Sequence, residues 1–492
     1  MIEAVLAEAT PGAGLAILVG TLLGIVVGGL PGLGSVVGLT ICLPFTFTMA
    51  PGPAIFLLLA VYCGSVYGGS ISAILINTPG TPQAAATTLD GYPMARAGRG
   101  GEALGWATAA SVMGGLLSCL VLIAAAPQLA RIAVRFGSIE VFALIVMALT
   151  CIAAVSHGSM PKGLAMGAVG LVLALVGTDP VVGMPRFDLG LFQLSAGLDL
   201  IAVVIGLFAL SEALERASIR AATTDAVRGV RIRLPSLRDW RGRWGGLGRS
   251  SFVGCGVGAL PGTGAATAAF IAYALARQTS PRGEGFGRGE PDGIVAAESS
   301  NNAVTGSAMI PTLALGIPGD VVTAILLNAL VIHGVTPGVR LMADNAPLVY
   351  AIFAALVVIN VVMLGLAFPV VRLFGVLLRI PERFVLAGVI VLSLVGAAAV
   401  RGNPFDVGVA VLFGLVGFAL RRGGWPLAPL VIGLVLGPEL EKSFRRGMLI
   451  KGDDFAAFFT HSPIATAIFA LTVALLVAPA ARRAWRGRRG TA

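Results

Sequence analysis

The sequence predicts an all-α polytopic membrane protein: roughly 10–12 transmembrane helices plus re-entrant or broken helices, in two internally repeated halves. Three observations predict it. Of 492 residues, 57% are hydrophobic and only 12% charged, where a soluble domain carries about 25% charged residues. Apolar runs recur to the end of the chain. Proline-glycine pairs interrupt those runs at matching places early and late in the sequence. So little charge cannot cover a water-facing surface, and lipid must solvate much of the chain.

Taken in order, apolar runs lie near 14–29, 36–49, 53–76, 103–126, 138–156, 162–177 and 199–214. After a polar interval come 250–260, 263–276, 294–315, 319–333, 346–375, 384–400, 405–420, 426–438 and 463–480. A helix needs about 20 residues to cross the hydrocarbon. Several runs are shorter and read as half-helices or re-entrant pieces. Lipid tolerates these only where protein or a water-filled cavity covers the broken backbone. The alternating segments of a membrane β-barrel are absent from the sequence. Met1 to Thr10 carries Glu3 and Glu8 but no Lys or Arg. A cleavable leader needs a basic start, so the first run, Gly14 to Gly29, reads as a retained membrane segment.

The net charge of +10 comes almost wholly from arginine, the only lysines being Lys162, Lys442 and Lys451. Between the halves stand Arg220, Arg228, Arg231, Arg233, Arg238, Arg241 and Arg243, against Asp225 and Asp239. The tail carries Arg482, Arg483, Arg486, Arg488 and Arg489. Basic stretches between apolar runs mark the cytoplasmic side, and such a strip also suits anionic lipid heads. Nucleic acid is excluded as a partner on the same pattern. The chain therefore divides into a first transmembrane half (1–215), a basic linker (216–249), a second half with additional helices (250–480) and a basic tail (481–492). Linker and C-terminus are expected in the cytoplasm. The five cysteines, Cys42, Cys63, Cys119, Cys151 and Cys255, are widely spaced and show no C-x-x-C, so they read as packing residues and no metal site or cofactor is expected. His157, His333 and His461 are isolated at element ends.

The halves echo each other. Gly29-Leu-Pro-Gly-Leu-Gly34 is matched by Ala259-Leu-Pro-Gly-Thr-Gly264, and Asn77-Thr-Pro-Gly80 by Gly316-Ile-Pro-Gly319. Pro31 and Pro79 stand 48 residues apart, Pro261 and Pro318 57. Proline removes an N–H and clashes with the preceding turn, and glycine opens conformations closed to other residues. Together they end a helix inside the membrane. The freed N–H groups of the next half-helix make a positive end suited to an anion. Short Gly/Pro-interrupted segments at corresponding positions of two halves point to a transporter's binding site. The candidate substrate-binding residues are Pro31, Gly32, Gly34, Asn77, Thr78, Pro79, Gly80, Pro261, Gly262, Thr263, Gly264, Asn301, Asn302, Pro318 and Gly319. Glu298-Ser-Ser-Asn-Asn302 sits beside an apolar run, where an ionisable group is costly and suggests function. Glu298, Asn302 and Thr305 are the candidate cation-coupling residues, for Na+ or for a proton on Glu298. Tyr62, Tyr67 and Gly68-Gly-Ser70 read as a close-packed helix face.

At these motifs the chain resembles the large membrane subunit of the tripartite tricarboxylate transporter family, the TctA type. Besides both Pro-Gly pairs, the resemblance rests on Tyr62 to Gly80, Asp90-Gly-Tyr-Pro-Met94, Glu298 to Asn302, Leu436-Gly-Pro-Glu439 and Gly452-Asp453. It covers nearly the whole chain. The resemblance implies a subunit of the bacterial cytoplasmic (inner) membrane that imports citrate, other di- and tricarboxylates or aromatic carboxylates on a Na+ or H+ gradient, without ATP. It implies two partners: a small membrane subunit of the TctB type and a periplasmic substrate-binding protein of the TctC type. The four Pro-Gly loops would line the site. A pump is disfavoured because no lysine follows a glycine, as a Walker A loop requires. No G-x-S-x-G or H-E-x-x-H appears, so an embedded enzyme is not expected. A channel for organic anions remains the alternative.

Overall fold

The computed structural model describes residues 8, 10–155, 160–179, 182–218, 230–262, 264–377, 381–452 and 454–489. They are overwhelmingly helical. The first half runs α1 (Pro11–Gly29), α2 (Gly34–Cys42), α3 (Pro51–Ile76), α4 (Thr88–Met94), α5 (Gly100–Ala133), α6 (Ser138–Val155), α7 (Met160–Leu173), α8 (Leu200–Val204) and α9 (Ser211–Ser218). A π-helical stretch at 205–210 joins α8 to α9. The second half runs α10 (Trp244–Ala259), α11 (Ala265–Thr279), α12 (Pro291–Ser307), α13 (Met309–Leu315), α14 (Val321–Ile332) and α15 (Ala346–Leu377). The additional helices are α16 (Glu382–Arg401), α17 (Pro404–Arg422), α18 (Leu427–Ile450) and α19 (Pro463–Arg489). Among the described residues the strands are β1 (Gly177–Thr178) and β2 (Pro185–Arg186), paired antiparallel.

Among the described residues six helical stretches are long and apolar enough to cross a membrane: 11–29, 51–76, 88–133, 346–376, 383–401 and 404–422. Five shorter apolar helices accompany them. This is the all-α polytopic architecture that the apolar runs predict. The short runs at 250–260 and 263–276 become α10 and α11, separated by the break at Leu260–Gly264.

The ends of the helices follow from their sequences. Thr10 caps α1, its hydroxyl accepting the Ala13 N–H at 3.1 Å, with Pro11 in the first turn where no N–H is needed. α3 is apolar on all sides and buried almost throughout, as a helix at the centre of a bundle must be. It can be approached closely because α1 meets it through Gly20, Gly24 and Gly28, spaced every four residues. A methyl group on any of them would strike the backbone of Leu57, Val61 or Ser65. With no water to drive helices together, such close backbone packing is what holds them in lipid. α10 meets α12 the same way, Gly254 on Ser300 and Gly258 on Val304. α5 reaches across to α12, Gly114 lying on the Ser299 backbone.

Candidate substrate and cation site

Within each half the two Pro-Gly breaks come together. α3 ends at Asn77, which is left-handed (φ 55°). The chain then turns back, and the Gly80 N–H donates to the Gly69 carbonyl at 3.2 Å. A methyl group on Gly80 would strike the Gly28 carbonyl, just ahead of the first break. In the second half α13 ends at Gly316, also left-handed (φ 70°). The Gly319 carbonyl accepts the Gly262 N–H at 2.5 Å.

Two polar contacts then tie the halves to each other. Glu298 on α12 is fully buried. Its Oε1 accepts the hydroxyls of Ser70 on α3, at 2.5 Å, and of Thr87. Its Oε2 accepts Ser111 of α5 at 2.7 Å. In the other direction, Tyr62 near the middle of α3 donates its hydroxyl to Asp320 Oδ2 at 3.1 Å. Asp320 follows the second-half break and caps α14, accepting the Thr323 N–H at 2.8 Å.

The sequence candidates fall into distinct places. Pro31, Gly32 and Gly34 form the turn between α1 and α2, where Gly32 lies against the Arg216 side chain. Thr78 and Pro79 are half-buried, and Thr78 donates to the Ile76 carbonyl of its own loop at 3.3 Å. Asn77 is exposed. Pro261 is buried, and Gly262 packs on Ile152 of α6. Gly264 opens α11, while Thr263 lies outside the described residues. Pro318 and Gly319 are buried, with Gly319 against Ala308. Asn301 is wholly buried, and neither of its amide atoms has a partner. Asn302 and Thr305 turn into their own helix. Asn302 Nδ2 donates to the Glu298 carbonyl at 3.2 Å, and Thr305 to the Asn302 carbonyl at 2.7 Å.

Sequence reasoning did not single out Ser70, Ser111, Tyr62 or Asp320 as site residues. Asp320 carried a usable signal, an acidic residue directly after a Pro-Gly break. Ser70 and Ser111 carried none, because a serine in a small-residue helix face reads as packing. Asp90 stands apart from the Glu298 cluster: its Oδ1 accepts the N–H groups of Gly287, Gly289 and Glu290 at 2.8–2.9 Å, and its Oδ2 the Tyr273 hydroxyl at 2.8 Å. It pins α4 to the second half.

Chemically, the arrangement is a carboxylate held by three hydroxyls at the seam of two halves. Among the described residues no Lys or Arg pairs with Glu298. A buried charge without a counter-charge is strongly unfavourable, so this carboxyl fits a group that takes up a proton or a bound cation.

The model of the "Tripartite tricarboxylate transporter TctA family" matches residues 15–432. A protein of Agrobacterium vitis described as an "Uncharacterized 52.8 kDa protein in TAR-I ttuC' 3'region" is 38% identical over 459 residues, covering 93% of this chain and 91% of that one. A second from the same organism, an "Uncharacterized protein in TAR-II ttuC' 3'region", is 34% identical over 221 residues, covering 45% of this chain and 91% of its own. No solved structure matches.

Proposed function

The chain belongs to the tripartite tricarboxylate transporter TctA family, and on that premise we propose that it is the permease of a binding-protein-dependent secondary transporter. It imports small di- or tricarboxylates by cation-coupled alternating access. The family is one of transporters, and its large membrane subunit works within a tripartite system. The partners of this chain are then a small TctB-type membrane subunit and a periplasmic TctC-type binding protein, in a bacterial inner membrane.

One observation carries the reading. Glu298 is buried at the seam, and among the described residues its side chain bonds to first-half hydroxyls and has no basic partner. A Na+ ion or a proton there neutralises it and steadies the seam. The substrate carboxylates meet the Pro-Gly breaks, at the positive ends of the half-helices that follow. Rocking of one half against the other then exposes the chamber to either side.

The directions of the helices support two inverted halves. The end of α1 leads to Gly32, which lies on Arg216 beside the basic linker. α10 begins at Trp244, within the last residues of that linker. One helix therefore ends, and its counterpart starts, on the same face. Positive-inside bias makes that face cytoplasmic.

The test is uptake of radiolabelled citrate, malate and succinate into membrane vesicles holding all three components, under imposed Na+ or H+ gradients. Saturable uptake that needs the binding protein and follows one gradient supports the proposal. Uptake that neither saturates nor responds to a gradient supports a channel instead.

A further inference from the structure

The two halves correspond contact by contact. A step of 230 residues carries Gly24 and Gly28 to Gly254 and Gly258, and a step of 239 carries Val61 and Ser65 to Ser300 and Val304. The same contacts result: Gly24 on Val61 and Gly28 on Ser65, Gly254 on Ser300 and Gly258 on Val304. The second step also carries Asn77 to Gly316, each left-handed at a helix end. It carries Gly69 and Gly80, joined by a hydrogen bond, to Ala308 and Gly319, which pack on each other.

The same step carries Tyr62 to Asn301 and Thr81 to Asp320. By these steps the counterpart of the Tyr62–Asp320 pair is the pair Asn301 and Thr81. There the chemistry differs. Asn301 is 0% exposed and Thr81 1%, yet Asn301 Nδ2, Asn301 Oδ1 and Thr81 Oγ1 have no hydrogen-bond partner. Buried polar groups are costly to leave unpaired, and native structures keep few of them. Both residues border the Glu298 cluster. Thr81 lies on Gly69, the neighbour of Ser70, and Asn301 is one helical turn beyond Glu298.

The counterpart shows what is missing. Asp320 brings its own carboxylate, which accepts from Tyr62 and from Thr323. Thr81 replaces that acid in the first half and leaves donors, the Asn301 amide and a hydroxyl, without an anion. We propose that a carboxylate group of the substrate occupies this place, accepting from Asn301 Nδ2 and Thr81 Oγ1 as the Asp320 carboxylate accepts from Tyr62. The proposal rests on the carboxylate reading above and names its subsite. It also orders the cycle. A substrate anion one turn from ionised Glu298 is repelled, so the cation or proton must neutralise Glu298 first.

The full chain in lipid nanodiscs tests this by equilibrium binding of radiolabelled citrate, malate and succinate, with Na+ present and at acidic pH. Thr81→Asp supplies an internal carboxylate of the kind the second half already holds, and should weaken binding by about tenfold or more. Thr81→Val, of the same shape without the hydroxyl, and Asn301→Leu should weaken it likewise, while Thr81→Ser restores it. Size-exclusion profiles identify any variant that fails to fold, and the isosteric Thr81→Val decides in that case. Wild-type affinity in folded Thr81→Val and Asn301→Leu overturns the subsite and leaves the carboxylate reading standing. If the wild-type chain binds none of the three acids, the carboxylate reading falls and the subsite with it.

Discussion

At the scale of single residues, charge balance turns on Glu298. Glu298→Gln keeps the shape and removes the charge, so the cost falls on coupling rather than on folding. Gradient-driven uptake should drop by at least about tenfold while the protein still reaches the membrane. Initial rates that still track the gradient in this variant would remove Glu298 from the coupling site. Asn77 makes a contrasting case. The sequence reading placed it among the ligands, but it is exposed and left-handed at the end of α3. Asn77→Gly should therefore leave uptake intact, whereas Asn77→Leu should lower stability by about 1–2 kcal/mol through backbone strain, read as a lower unfolding temperature. Loss of uptake in Asn77→Gly with stability unchanged would restore it as a ligand. Glu298 was legible in the sequence because a carboxylate beside an apolar run demands a reason. Its serine partners were not, because they come from α3 and α5, and no local spacing joins them.

At the scale of elements, the glycines of α1 set how near it comes to α3. Gly80→Val adds bulk where the Gly28 carbonyl already lies, so it should abolish uptake and reduce the folded fraction on size-exclusion. Gly319→Val meets Ala308 instead, whose Cβ would stand 2.9 Å from the first added carbon, and should impair uptake too. Normal uptake in both variants would refute a site built from paired breaks. The β1–β2 hairpin responds to pH rather than to bulk. Arg186 bonds both carboxylate oxygens of Glu441, at 2.7 and 3.0 Å, beyond Pro438 in α18. That hydrogen-bonded guanidinium holds the Glu441 carboxyl below its ordinary range, with Arg445 helping. A lowered folded-state value means the stabilisation is complete above the unfolded value of about 4.3 and fades as pH falls through the lowered one. Protection of the hairpin amides against hydrogen exchange, taken relative to the intrinsic rate at each pH, should therefore fall below about pH 4, and Glu441→Gln should be poorly protected at neutral pH as well. Protection that is independent of both would show that the pair does not tether the hairpin. The breaks themselves were legible as elements, since Pro-Gly has few other uses inside an apolar run. The division of the 294–315 run into α12 and α13 carried a signal that went unused: Pro311 lacks the N–H that would bond the Ser307 carbonyl, and the helix steps at Ala308.

For the whole molecule, the account requires two halves with opposite senses around one polar chamber. A reporter inserted within 220–245 should read cytoplasmic, and a periplasmic signal would reverse the orientation. The repeat was legible from four short motifs, but its consequence was not. Only the fold shows that Gly28 meets Gly80, that Gly262 meets Gly319, and that each half extends a polar contact into the other. The contacts Tyr62–Asp320 and Ser70–Glu298 join residues more than 200 positions apart, beyond any pattern a single sequence displays. The most direct test is a cryo-electron microscopy structure of the chain in lipid nanodiscs with citrate and Na+. The account predicts the paired breaks in contact within each half, Glu298 bonded to Ser70 at the seam, and ligand density between the 77–81 loop and the 298–302 turn. Unbroken helices through the bilayer, with the four prolines far apart and the ligand elsewhere, would contradict it.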